Sequence, residues 1–270
     1  MARQSLKHYT LRYVHRWSKA PSEKRTMDKL NISHHISRQF NEELEGVRSQ
    51  VMKMGGLVEE QLSQAVRALV EMDVALARQV VANDHRVNAL DVAIDEECTV
   101  ILARRQPAAS DLRLVMAVIK TITDLERIGD EAKRVARMVA EEMNGTLNEE
   151  VRQELDHMGG LVKDMLRQVL DAFARMDVDT AVEVVHADSK VDAKYASITR
   201  QLMTYMAEDP RSIPMILNIM WAARAMERMG DRCENIAEYI FYLVYGRDVR
   251  HTSVDEALAE VSTEQAKPAA

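Results

Sequence analysis

The residues with the clearest chemical potential are pairs of polar groups four apart. D-L-E-R-I-G-D at 124–130 sets Glu126 and Asp130 around a glycine, and E-R-M-G-D at 227–231 does the same with Glu227 and Asp231. Upstream of each lies a second pair, Asp84 with Asn88 and Asp188 with Asp192. A spacing of four puts both members of a pair on one helical face. Three or four acids at one level repel, and burying an unpaired carboxylate costs several kcal/mol or a large pKa shift. A positive group is therefore expected among them. One candidate is a divalent or trivalent cation (Fe, Mn, Mg or Zn), because oxygen-rich clusters suit hard metals. Another is arginine from a neighbouring helix. A third reading of the same spacing is a solvated acidic seam with intrahelical salt bridges.

The elements that must position these groups repeat. M-G-G-L-V at 54–58 recurs at 158–162, and M-D-V at 72–74 recurs at 176–178, both at an offset of 104. The E-R-x-G-D motif recurs at an offset of 101, so one half carries a three-residue indel. A repeat this long points to two similar subdomains rather than a solenoid. In each half, apolar residues step by threes and fours, as at Leu44, Val47, Val51, Met54, Val58 and Leu62, which marks buried helical stripes. The second helix of the first half is expected over about 74–105 and the third after Pro107, with Ser110 as its N-cap. Pro210 plays the part of Pro107 in the second half.

Folding the second and third helices into an antiparallel hairpin at Pro107 sets Asp84 opposite Asp130 and Asn88 opposite Glu126. The same operation at Pro210 sets Asp188 opposite Asp231 and Asp192 opposite Glu227. Both polar pairs of each half thus meet at one height. Gly129 and Gly230, each costing about 1 kcal/mol against alanine in a helix, would let a ligand or backbone come close. Arg127 and Arg228 lie one position off the stripe and read as rim salt bridges.

The predicted fold is all-α: two tandem three-helix bundles related by internal duplication. The segments are a basic, flexible N-terminal extension over 1–27, bundles over 28–144 and 148–246, and a polar C-terminal tail over 247–270 that frays. Residues 1–26 hold seven Lys/Arg against one Glu, with Met27 an alternative start, and the rest of the chain carries −13. So acidic a body argues against sequence-independent nucleic-acid binding. Two cysteines, Cys98 and Cys233, form neither a disulfide framework nor a metal spacing, which fits a reducing cytosol. No run of 18 apolar residues is present, and no nucleophile triad, P-loop or dinucleotide fingerprint appears.

R-Q-F-N-E-E-L (38–44), M-G-G-L-V-E-E-Q-L (54–62), R-R-Q-P-A-A-S-D-L-R (104–113), D-L-E-R-I-G-D (124–130), Q-L-M-T-Y-M (201–206) and E-R-M-G-D-R-C-E-N-I (227–236) together resemble the PhoU family over roughly 28–250. The resemblance implies two three-helix bundles and a cytoplasmic, non-enzymatic negative regulator. Such a regulator couples the phosphate ABC transporter, through its ATPase PstB, to the sensor histidine kinase PhoR, and reaches the membrane only through these partners. A homodimer is implied, as is metal binding through paired E/D-x-x-x-D motifs. Carried over by position, the metal residues are Asp84, Glu126 and Asp130 in one half and Asp188, Asp192, Glu227 and Asp231 in the other. Asn88 departs from the pattern, so the first site should bind metal more weakly than the second. The rival reading is a carboxylate-bridged metal protein with an enzymatic or storage role. It would normally use E-x-x-H motifs within a four-helix bundle, whereas the bundles expected here have three helices.

Overall fold

The computed structural model describes residues 38–143, 147–250 and 252–265. The basic extension and most of the 144–148 link lie outside them. The first half comprises α1 (Arg38–Glu71), α2 (Val74–Asn83), α3 (His85–Arg105) and α4 (Ala109–Glu141). The second comprises α5 (Glu149–Arg175), α6 (Val178–Glu208), a 3-10 turn (Pro210–Ser212) and α7 (Ile213–Tyr245), followed by α8 (Val254–Gln265). Among the described residues there is no strand. The predicted all-α duplication is what forms.

Each apolar stripe becomes a core. Leu44, Val47, Val51, Met54, Val58, Leu62 and Leu69 of α1 are buried, as are Leu155, Met158, Val162, Leu166, Val169 and Phe173 of α5. The repeated M-D-V is the turn between the first two helices of each half. Met72 and Met176 end α1 and α5 in the left-handed region, at φ 54° and 53°. Asp73 and Asp177 then cap the next helix, accepting from the amides of Leu76 (2.9 Å) and Thr180 (3.3 Å).

The two bundles pack through α4 against α7 and α1 against α5. The repeated glycines make the second contact possible. A Cβ on Gly55 would lie 2.4 Å from Leu170 Cδ2, and one on Gly159 would lie 2.4 Å from Val66 Cγ1. Residues 66 and 170 differ by the same 104 as the glycines, so the contact obeys the pseudo-twofold of the duplication. Along α4 and α7, Arg228 pairs with Glu131 at 2.9 Å and Arg232 approaches Asp124 at 3.5 Å. Tyr239 donates its hydroxyl to the same Asp124 at 2.8 Å. Arg127 also reaches Asp124, at 3.5 Å. The off-stripe arginines therefore take part in salt bridges, and that of Arg228 crosses between the halves.

Three details differ from the sequence reading. The expected helix over 74–105 breaks at Asp84, where the amide of Val87 bonds back three residues to Asp84 O at 2.9 Å. Ser110 lies inside α4, which starts after Ala108 without a side-chain cap. The polar tail does not fray throughout: α8 forms and buries Val254, Ala257 and Val261. It contacts α6, where His186 Nε2 meets Asp255 Oδ2 at 3.0 Å. An apolar step of three and four inside a charged stretch is enough to dock a short helix.

The glycine contacts separate two residue pairs that look alike in sequence. Gly55→Ala and Gly159→Ala should each lower stability by about 1–3 kcal/mol through overpacking. Gly56→Ala and Gly160→Ala, with nothing within 4 Å of the added Cβ, should raise it by about 0.5–1 kcal/mol. Urea unfolding midpoints of the four variants check this.

Candidate metal centre

In each half the acids lie on the hairpin of helices, and in each one aspartate is buried, Asp84 at the break between α2 and α3 and Asp188 on α6. Asp84 is 3% exposed and Asp188 is 9% exposed. A Cβ at Gly230 would stand 2.9 Å from Asp188 Oδ1, so glycine makes room for that carboxylate. At Gly129 the close neighbour is the Gln61 side chain, 3.4 Å from an added Cβ.

The first half answers its buried carboxylate from within. Gln61 Nε2 donates to Asp84 Oδ1 at 2.9 Å and to Gly129 O at 3.0 Å. Lys133 Nζ donates to Asp84 Oδ2 at 2.7 Å and lies 3.5 Å from Asp130 Oδ1. Asn88 Nδ2 donates to Asp84 Oδ2 at 3.3 Å. The hydrogen bond to Asp84 holds the lysine ammonium above its ordinary range. Glu126 stands beside this group, its carboxyl raised by burial and by Asp130. The positive group expected here is a lysine of α4, neither an arginine nor of necessity an ion.

The second half has replaced each of these donors. The positions matching Gln61, Asn88 and Lys133 are Met165, Asp192 and Glu234. Two neutral amides and one cation become a thioether and two acids. Asp188 Oδ1 is buried without a hydrogen-bond partner. Burial, then Glu234, Asp192, Asp231 and Glu227, push the Asp188 carboxyl up from 3.8 to about 7. Glu234 and Asp231 are raised for the same reasons, burial first. Single carboxylate oxygens of Asp188, Asp231 and Asp192 all lie within 4.8 Å of one another, graded in that order from buried to exposed. That gradation gives the cluster an open side.

Glu227 is drawn off to one side by Arg224, one turn earlier on α7, although Glu227 Oε2 is itself buried without a hydrogen-bond partner. Of the eight positions singled out by sequence, three converge on a possible cation position and one borders it; in the first half Asp84 and Asp130 meet a lysine, Asn88 bonds Asp84 and Glu126 lies beside Asp130. Gln61, Lys133, Glu234 and Arg224 were not singled out. Aligning the halves at offsets 104 and 101 would have exposed the first three as differences in charge and polarity. The donor set of the second half is all oxygen, which suits Mg, Mn or ferric iron better than a softer metal. A cation there would satisfy the unpartnered Asp188 oxygen and offset the repulsion, pinning α6 to α7.

Without a cation, this cluster makes stability fall with alkalinity. Asp188, and Glu238 one turn beyond Glu234, both rest near 7 when folded, against 3.8 and 4.5 ordinarily. The folded protein then holds more protons than the unfolded chain between about pH 4 and 7, so stability drops across that interval as pH rises. Thermal melting of chelator-treated protein should give a lower midpoint at pH 8 than at pH 5.5. Asp188→Asn should shrink the difference, whereas an unchanged slope in that variant would show that Asp188 is not the group responsible.

Comparison with known proteins agrees with the duplicated helical fold. The PhoU domain family profile matches residues 51–139 and 155–240, one copy per bundle. The phosphate-specific transport system accessory protein PhoU of Escherichia coli K12 is 53% identical over 230 residues, which is 85% of this chain and 95% of that protein. The Pseudomonas aeruginosa PhoU homologue is 48% identical over 235 residues, 87% and 97% of the two chains. The crystal structure of PhoU from P. aeruginosa superposes with a TM-score of 0.72 at 50% identity, covering 77% of this chain and 100% of that one. That of the phosphate transport system regulatory protein PhoU from Streptococcus pneumoniae gives 0.72 at 31% identity, over 78% and 99%. On a family profile found twice and relatives matched along nearly their whole length, this chain belongs to the PhoU family.

Proposed function

We propose that this chain is a cytoplasmic, non-enzymatic negative regulator of phosphate uptake and the phosphate-starvation response. In this reading it couples the phosphate ABC transporter, through its ATPase, to the sensor histidine kinase. The observation that carries the proposal is the near full-length match to proteins named as accessory to phosphate-specific transport. No described helix is long and apolar enough to cross a membrane, so the membrane machinery would be reached through partner surfaces. Signalling then requires different affinities for two partner states, because a bound protein shifts an equilibrium only by that difference.

Within the same proposal, Asp188, Asp192 and Asp231 hold one hard cation, with Glu234 and Glu227 adding negative potential. The ion supplies charge neutralisation and rigidity. In the first half Lys133 supplies both from the chain itself, so Asp84, Asn88, Glu126 and Asp130 form a structural counterpart that takes no ion.

A strain lacking this chain, carrying a reporter of a phosphate-starvation promoter, tests the role. In phosphate-rich medium the reporter should be on in the deletion strain, and restoring the wild-type chain should lower it at least about tenfold. Asp188→Asn/Asp231→Asn should restore less repression than Asp84→Asn/Asp130→Asn. A reporter that stays off in the deletion strain contradicts the regulatory reading.

A further inference from the structure

The second half carries an element for which the first half has no counterpart. α4 ends at Glu141 and α5 begins at Glu149, whereas α7 is followed by residues 246–250 and then by α8. The added segment meets three helices in turn. Gly246 ends α7 in the left-handed region at φ 72°, and a Cβ there would stand 3.4 Å from Arg113 Nη1 of α4. Val249 is buried. Asp248 pairs with Arg250 at 2.5 Å, and the guanidinium, helped by Lys120 of α4, holds the Asp248 carboxyl down at about 2. On α7 the segment acts on Glu238: burial, Glu234 and Asp248 raise that carboxyl, and Arg250 opposes them. On α6, Asp255 of α8 meets His186 at 3.0 Å, and Val254, Ala257 and Val261 of α8 are buried. Glu260 returns to Arg247 at 2.9 Å, so α8 folds back beside its own lead-in.

The segment is thus a strap that runs from α4 across α7 to α6. Its anchor points lie close to the acid cluster. His186 is two residues from Asp188, about 3 Å of helical rise, and Glu238 is seven from Asp231, about 10 Å. Asp188 and Asp192 come from α6 and Asp231 from α7. The three oxygens keep their spacing only while those two helices keep theirs. A cation at the cluster and a strap between the same helices therefore restrain one degree of freedom. In the first half that restraint is built in, because Lys133 of α4 reaches Asp84 directly at 2.7 Å.

We propose that this strap braces the cation position of the second half, so that docking of α8 and binding of a hard cation at Asp188, Asp192 and Asp231 favour one another. The coupling rests on the reading of that cluster as a cation site. Two effects of opposite sign decide its direction. Ordering α6 against α7 costs entropy, and whichever of strap and ion acts first spares the other that cost. Against this, Arg250 brings a positive charge toward α7. That charge is paired with Asp248 and 52% exposed to solvent, so its repulsion at about 10 Å or more is screened to little. The restraint prevails and the coupling is favourable.

Two measurements on the full chain test the brace. Electron paramagnetic resonance of free manganese during a titration gives the affinity, and hydrogen–deuterium exchange follows residues 254–265 with and without the ion. Ala257→Glu places a carboxylate on the buried face of α8, and Ala259→Glu places the same group on its exposed face. Both lie outside the acid cluster, and circular dichroism verifies their folding. Ala257→Glu should weaken manganese binding at least about fivefold relative to wild type and to Ala259→Glu. Because coupling is reciprocal, manganese should slow exchange across α8 in wild type and in Ala259→Glu but not in Ala257→Glu. Equal affinity in the three proteins, or α8 exchange in wild type indifferent to the ion, overturns the brace and leaves the cation site standing. Wild type that binds no manganese overturns the cation site, and the brace with it.

Discussion

A carboxylate buried at mid-height between two helices is the constraint on which the rest of this structure depends. Each half places one there: Asp188 lies against Gly230 of the facing helix, and Asp84 is reached by Gln61, which also bonds Gly129 O. An ionised carboxylate in that position must be met by donors or cations, or it takes up a proton. The first half meets it with an amide at Gln61, a second amide at Asn88 and an ammonium at Lys133. The second half offers Met165, Asp192 and Glu234 instead. The backbone is duplicated and the electrostatics are not. One half is closed upon itself, while the other is left short of positive charge.

The duplicated frame keeps this difference in register. Gly55 and Gly159 bring α1 and α5 close, and the ion pairs of Arg228 and Arg232 hold α4 against α7. The turns built from the two M-D-V copies start α2 and α6 at corresponding points. The aspartates therefore reach the same depth in each half. A divergence of three side chains then leaves one of two equivalent places with the ammonium of Lys133 and gives the other the carboxyl of Glu234.

Much of the fold was legible in the sequence because helical burial writes a period. The stripes, the hairpins at Pro107 and Pro210 and the level of the acids all follow from spacing alone. What stayed hidden depends on side-chain reach. Lys133 is three residues past Asp130 and looks like an ordinary surface lysine, yet its flexible stem carries the ammonium to Asp84 across the hairpin. Gln61 belongs to a third helix, outside any two-helix argument. The break at Asp84 leaves no glycine or proline as a marker, and Ser110 resembled a cap that the backbone does not use. The docking of α8 rests on a few apolar residues, Val254, Ala257, Leu258 and Val261, in a charged stretch.

The central claim is that the first half neutralises itself and the second half recruits an ion. Metal content by mass spectrometry measures this directly, on untagged protein loaded with manganese and then freed of excess by gel filtration. About one ion per chain should be retained by wild type and by Asp84→Asn/Asp130→Asn. It should be lost from Asp192→Asn/Glu234→Lys, which gives the second half two of the three residues of the first. Manganese retained by that variant and lost from the Asp84/Asp130 variant would place the ion in the wrong half and contradict the account.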